Sequence, residues 1–150
     1  MKIFIASDHA GFELKEKLIE FLIDENGYEV IDEGAFEYDE NDDYPDFISK
    51  VAQKVSGNPE QNMGIVLGGS GQGEAIVCNR FKNIRTAVYY GGNTEIIKLS
   101  REHNDANILS LGARFVSEEE AKESVKLWLE TEFSEDERHI RRIKKIEEIK

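Results

Sequence analysis

Apolar residues along this chain alternate between two patterns. Short, nearly continuous runs at Lys2–Ala6, Tyr28–Asp32, Met63–Leu67, Ile84–Tyr89 and Asn107–Leu111 read as strands. Between them the apolar positions take helical spacing. Phe12, Leu14, Leu18, Phe21 and Leu22 form one stripe; Phe47, Ile48, Val51, Ala52 and Val55 form a second, with Pro45 suited to its first turn. Helices are also predicted over Glu74–Phe81, Thr94–His103 and Glu118–Thr131, the last opened by a capping box of Ser117 and Glu120. A basic amphipathic stretch from about Asp136 to the end predicts one more.

Strands that are apolar throughout, alternating with helices, suit a parallel sheet covered on both faces. The expected fold is therefore α/β: one three-layer α/β/α domain over residues 1–150, with a five-stranded parallel, Rossmann-like sheet and an extra C-terminal helix. Right-handed crossovers put every strand C-terminus on one edge, where ligands bind in open sheets of this kind. The C-terminal helix, about 136–150, has no strand left to cover and is expected on a partner subunit.

Composition narrows the setting. No apolar run approaches the length needed to cross a bilayer, and no signal peptide precedes the first strand, so neither membrane nor export is expected. The single cysteine, Cys78, excludes an internal disulfide framework and fits a reducing cytoplasm. A formal charge of −12 disfavours nucleic acid and anionic membrane as partners. That charge is uneven: residues 138–150 carry six Lys/Arg against two Glu, a net of +4, which leaves −16 on the first 137. A basic segment on an acidic body could serve a small anionic ligand, or merely complement a helix dipole.

Five segments carry candidate chemistry. The first strand ends in Ser7-Asp8-His9-Ala10-Gly11, where Asp8 beside His9 suits proton handling, or a turn capped by Asp8. The third strand leads into Gly68-Gly69-Ser70-Gly71-Gln72-Gly73-Glu74. This is no nucleotide phosphate loop, because Glu74 stands where the lysine belongs; the dinucleotide fingerprint and the nucleophile elbow fail at Glu74 and Gln72. What remains is a set of backbone donors with a carboxylate at a helix start. That suits abstraction of a carbon-bound proton with amides on the resulting oxyanion, or a tight turn whose Glu74 complements the helix dipole. The polar run from Ser100 to Asn107 brings His103 and Asn104, expected at the same sheet edge, although a histidine at a helix end is commonly a dipole partner. Arg114 directly follows a strand end, and Arg138 and Arg142 share one helix face. The pair reads as a phosphate clamp or as a solvated or intersubunit surface.

In order along the chain, Ser7-Asp8-His9-Ala10-Gly11 with Leu14-Lys15, Asp43-Tyr44-Pro45-Asp46-Phe47, the glycine loop, Arg101 through Asn107 and Arg138-His139 resemble the ribose-5-phosphate isomerase B family. Galactose-6-phosphate isomerase subunits are relatives of that family. The resemblance implies a metal-free and cofactor-free aldose–ketose isomerisation through a cis-enediolate. His103 and Asp8 would assist ring opening. Gly69, Ser70, Gly71, Gln72 and Gly73 would hold the enediolate oxygens. His9, Arg114, Arg138 and Arg142 would hold the phosphate, Asn104 would touch a sugar hydroxyl, and Tyr44 would sit near the pocket. It further implies a homodimer or dimer of dimers with shared sites, in which His103, Asn104 and Arg114 come from the neighbour of the chain supplying Glu74.

Two departures bear on this. Many family members carry a cysteine base where this chain has Gly68; a second subgroup places a glutamate after the loop, so the base falls to Glu74. Cys78 then reads as a small core residue. Tyr90-Gly91-Gly92-Asn93 looks about two residues longer than usual and follows a strand end, so it is expected near the pocket, where it bears on substrate size. His103 and Asn104 favour a pentose or allose phosphate over galactose 6-phosphate. The competing readings are a flavodoxin-type nucleotide-binding domain, which Glu74 opposes, and a receiver-like domain, which would need an Asp where Gly68 follows Leu67. A family member kept only for assembly is a third.

Overall fold

The computed structural model describes residues 1–25 and 27–149, with the side chain of Glu25 set aside; Lys150, the end of the predicted basic helix, lies outside the described residues. Five strands form one all-parallel sheet: β1 Lys2–Ser7, β2 Glu29–Asp32, β3 Asn62–Gly68, β4 Thr86–Tyr89 and β5 Ile108–Gly112, in the order β2-β1-β3-β5-β4. The helices are α1 Phe12–Glu20, α2 Pro45–Gly57, α3 Gln72–Cys78, α4 Glu95–Glu102, α5 Glu118–Glu130 and α6 Glu137–Glu147. The α/β class and the five-stranded parallel sheet are as the sequence predicts.

Alternate residues of each strand feed two separate apolar layers. Ile3, Ile5, Ile65, Leu67, Leu109 and Leu111 pack with Leu18 of α1, Ile97 of α4 and Val125 and Trp128 of α5. Phe4, Ala6, Val66 and Ile108 pack with Ile48, Val51, Ala52 and Val55 of α2 and Cys78 of α3 on the other face. Burial on both faces is why these strands read as continuous rather than alternating apolar runs. Cys78 is fully buried in this second layer, and burial pushes its thiol up to about 12, far from a reactive thiolate.

Helix ends follow local chemistry. Pro45 opens α2, where its missing N–H costs nothing. The capping box on α5 is half made: Ser117 Oγ accepts from the Glu120 N–H at 3.1 Å, but the Glu120 side chain accepts from Tyr89 Oη at 3.0 Å instead of reaching back. The stripe that predicts α1 reaches Leu22, yet the helix widens from Phe21 to Glu25 into a π-type turn.

Strand order reverses between β1 and β3: β2 lies to one side of β1, and β5 and β4 lie beyond β3. A crevice forms at such a switch point, outside the carboxyl ends of the two strands. The residues that end these strands are Ser7 and Gly68.

Candidate active site

The end of β1 is braced from below. Lys15 is fully buried, with Nζ 2.6 Å from Asp32 Oδ2 and 3.0 Å from Glu16. Asp32 Oδ1 accepts from the Gly34 N–H at 2.8 Å. The Gly34–Ala35 turn then brackets Ser7: Ser7 N–H donates to Gly34 O at 2.7 Å, and Ala35 N–H to Ser7 O at 2.8 Å. Asp8 therefore leaves β1 in a fixed place. Its Oδ1 accepts from Ala10 and Gly11 N–H at 2.9 and 3.2 Å, so the capping role is real, while the same buried carboxylate lines the crevice.

The glycine loop is strapped by the turn after β5. Ala113 N–H donates to Gly68 O at 2.8 Å and Arg114 N–H to Gly69 O at 3.1 Å; Ser110 Oγ donates to Gly71 O at 2.6 Å. With the Gly68, Gly69 and Gly71 carbonyls engaged, the loop leaves the N–H groups of Ser70, Gly71 and Gly73 without an intramolecular acceptor among the described residues. Gly71 has φ +77° against the backbone of Leu111, a position closed to a residue with a Cβ.

Glu74 stands in the first turn of α3 and is 4% exposed. Its carboxyl group bends back over Gly68, so closely that a Cβ built on Gly68 would fall inside it. The carboxylate thus occupies the volume that a side chain at 68 would fill. Burial raises its pKa first of all, its own backbone N–H offsets this in part, and the charge of Asp8 raises it further. A buried carboxyl group with a raised pKa beside a second carboxylate is suited to proton transfer.

Around these groups lies a crevice of about 420 Å³ lined by Asp8, Tyr44, Gly69, Ser70, Gly73, Glu74, Arg114 and Phe115. The Tyr44 ring lies over Gly73, and the Arg114 guanidinium lies over Gly69. Phe115 takes Tyr90 edge-on at 6.2 Å, so the Tyr90–Asn93 loop borders the crevice as expected. A larger hollow of about 820 Å³ between the end of α6 and residues 79–84 holds no such acid–base grouping.

His9 stands beside the crevice. Its ring Nδ1 is 2.7 Å from Asp42 Oδ1, and its backbone N–H donates to the same oxygen at 3.2 Å. That hydrogen bond raises the His9 pKa above 6.5, burial opposes it, Asp8 and Asp42 add to it, and Arg114 subtracts. Asp42 was not anticipated; it stands in an acidic run from Glu37 to Asp43 that looks like ordinary surface charge. Asp8, His9 and Asp42 bring three donor atoms within 4.8 Å, the geometry of a cation site. Their bonds make a hydrogen-bonded network instead: Asp42 Oδ1 is spent on His9, and Asp8 Oδ1 on two amides.

Two expectations about placement need correction. Arg114 was assigned to a neighbouring subunit, yet this chain's own Arg114 lines its own crevice, because the turn after β5 is strapped directly to the glycine loop. His103 and Asn104 were expected at the edge carrying Glu74. They lie at the opposite edge, because α4 runs antiparallel to the strands and its end returns the chain to the start of β5. Asn104 O accepts from Arg85 Nε at 3.1 Å beside the first residue of β4, and His103 stacks on His139 of α6 at 4.2 Å. Arg138 and Arg142, on the exposed side of α6, keep company with this second group, as does Glu147, 2.9 Å from Arg85. The structure therefore gathers Asp8, His9, Tyr44, Ser70, Gly69 to Gly73, Glu74 and Arg114, and separates His103, Asn104, Arg138 and Arg142 from them.

A switch-point crevice with a buried carboxyl group, a second carboxylate, free amides and an arginine suits acid–base chemistry on a small anionic ligand. Comparison with known proteins specifies it further. The family model described as Ribose/Galactose Isomerase matches residues 3–146. The chain is 42% identical over 143 residues to ribose-5-phosphate isomerase B of Mycolicibacterium paratuberculosis, covering 95% of this chain and 87% of that one. It superposes with a TM-score of 0.91 and 39% identity on the crystal structure of ribose-5-phosphate isomerase B from Mycoplasma genitalium with bound ribulose-5-phosphate, covering 97% and 93% of the two chains. The enzyme of that name from Clostridium thermocellum gives a TM-score of 0.90 at 46% identity, covering 99% and 96%. The chain belongs to the ribose/galactose isomerase family and is an enzyme of the aldose–ketose isomerase class. No helix among the described residues is long and apolar enough to cross a membrane.

Proposed function

We propose that this chain interconverts ribose 5-phosphate and ribulose 5-phosphate through a cis-enediolate, with Glu74 as the base. The observation that carries the reading is the buried Glu74 carboxyl group in the volume above Gly68, facing a crevice with free loop amides and Asp8. The phosphate lies against Arg114 and His9. Ring opening uses Asp8 together with His103 of the partner subunit. In the open aldose, Glu74 takes the proton from C2, and the electron pair forms the C1–C2 double bond as charge moves onto O1. The amides of Ser70, Gly71 and Gly73, with the Ser70 hydroxyl, hold the two oxygens while the O2 proton passes to O1. Glu74 then returns its proton to C1, and O2 becomes the carbonyl. Every step is acid–base work, so no metal or cofactor is required of the site.

The working unit is a homodimer or a dimer of dimers, acting in the cytoplasm on a small sugar phosphate. Residues 1–150 act as one domain, and α6 carries Arg138 and Arg142 into the partner's crevice to complete the phosphate site. A relative of the same fold holds ribulose-5-phosphate, which supports the substrate class. The test is equilibration of ribose 5-phosphate with ribulose 5-phosphate, with and without chelator, alongside allose 6-phosphate. Solvent deuterium appearing in the product supports the enediolate. Full loss of activity in chelator, restored by one divalent ion, defeats it.

A further inference from the structure

Asp42 is the feature of the site that neither the sequence pattern nor the proposed chemistry absorbs. Its side chain is only 8% exposed, a costly environment for a carboxylate unless strong partners hold it there. Among the described residues its side chain has two hydrogen-bonded partners, and both belong to His9: the ring Nδ1 at 2.7 Å and the backbone N–H at 3.2 Å, on the single oxygen Oδ1. Oδ2 is buried with no hydrogen-bond partner. The carboxylate neither caps its own loop nor pairs with a surface cation; its bonding is directed at one residue, 33 positions away.

We propose that Asp42 is a positioning residue for the anion site, fixing the His9 ring with Nδ1–H turned inward and Nε2 left as the nitrogen free to meet the phosphate. This rests on the reading of His9 as a phosphate partner. The two bonds act together: the backbone bond fixes where the turn stands, and the ring bond fixes how the imidazole is rotated. A carboxylate on Nδ1 also favours the doubly protonated ring, which can donate to a phosphate oxygen through Nε2. The charged and titratable groups facing His9 are Asp8 from its own turn, Asp42 and Tyr38 from the loop before α2, and Arg114 from the turn after β5. Asp8 and Arg114 act on the ring in opposite senses, which leaves Asp42 as the group that decides its state.

The test uses Asp42→Asn in the full-length chain, with His9→Asn as the reference that assigns the His9 ring resonances. The readout independent of activity is the His9 imidazole titration followed by NMR. Asp42→Asn should lower that midpoint by about one pH unit, the scale of an opposite charge within hydrogen-bond reach. The inhibition constant for inorganic phosphate should rise several-fold near neutral pH and recover toward wild type as the pH is lowered, because acid restores the protonated ring. KM should rise by a larger factor than kcat falls. Asp42→Glu, which keeps the charge on a longer arm, should restore the His9 midpoint in part, and serves if the asparagine variant folds poorly. An unchanged His9 midpoint in Asp42→Asn overturns the proposal. A lowered midpoint with phosphate inhibition unchanged in both Asp42→Asn and His9→Asn overturns the assignment of His9 to the phosphate. Phosphate that binds as expected to a wild-type protein with no isomerase activity overturns the isomerase reading alone.

Discussion

At the carboxyl edge of the sheet two carboxyl groups are buried; at the opposite edge most of the predicted site residues stand in the open. Asp8 and Glu74 are buried, the glycine loop is tied to the turn after β5, and Lys15 braces the floor beneath Asp8. Asn104, Arg138 and Arg142 are exposed, and His103 stacks on the buried His139 of α6. The first region sets its two carboxyl groups around a crevice; the second leaves basic and polar side chains in the open, with Asn104 lining a hollow of about 300 Å³. Burial lowers the pKa of His139 there, and the nearby His103 and Arg138 lower it further. In the proposed dimer, a second copy brings one edge against the other and makes the two sets of groups complementary.

The sharpest way to break that comparison is at Glu74. Glu74→Gln keeps the volume above Gly68 and removes the base, so kcat should fall at least ~10²-fold, with the crevice still able to bind phosphate. A kcat within a few-fold of wild type would return the glutamate to its role as a partner of the helix dipole.

Complementation tests whether the two edges meet. Glu74→Gln and His103→Asn proteins should each be nearly inactive. Random reassociation of an equal mixture creates heterodimers with one intact site, so about a quarter of the wild-type activity should return in a symmetric dimer with shared sites. If no activity returns after verified subunit exchange, each chain completes its own site and the separation seen across the sheet must close by another movement.

A smaller effect is expected at Arg142. A guanidinium contacts phosphate through two parallel hydrogen bonds that an ammonium cannot reproduce, so Arg142→Lys should raise KM for ribose 5-phosphate roughly tenfold. Titrating inorganic phosphate as a competitive inhibitor checks this. An unaltered inhibition constant removes Arg142 from the site and leaves α6 as a covering helix.

The fold was legible because apolar burial on both faces of a parallel sheet leaves continuous runs, and the strand spans were readable to within about two residues. β4 starts at Thr86 rather than Ile84, since Ile84 is buried but belongs to a turn that bonds back to Phe81. Asp8, the glycine loop and Arg114 could be placed because each directly follows a strand. His103 was misplaced because polar density was read as proximity to the glycine loop, although a helix leaving β4 must end at the other edge. Two features were not legible at all. The Glu74 carboxyl above Gly68 depends on how a side chain folds back across a loop. Asp42 looks like any other member of the acidic run from Glu37 to Asp43 until its partner, 33 residues away, is known.

The last expected effect is on stability, and its sign opposes the effect on activity. Glu74 is desolvated and faces Asp8, so its folded-state pKa lies above its ordinary value of 4.5. Below that ordinary value the carboxyl is protonated in both the folded and unfolded chain, and it contributes no electrostatic cost. As pH rises, the unfolded chain loses its proton first, so stability falls progressively until the raised folded pKa is passed, and beyond it the cost is constant. Glutamine has no such titration. Glu74→Gln should therefore melt higher than wild type at neutral pH, with the difference in Tm growing from about pH 4.5 upward and then levelling. His9 contributes a fall of the same sign, but it begins at 6.5 and is shared by both proteins, so it cancels in the difference. The onset of the plateau should coincide with the acid limb of kcat/KM in the wild-type enzyme, because both report the ionisation of Glu74 in the free enzyme. A difference in Tm that does not vary with pH would mean that Glu74 is not desolvated in the folded protein, and the argument for a tuned base would go with it.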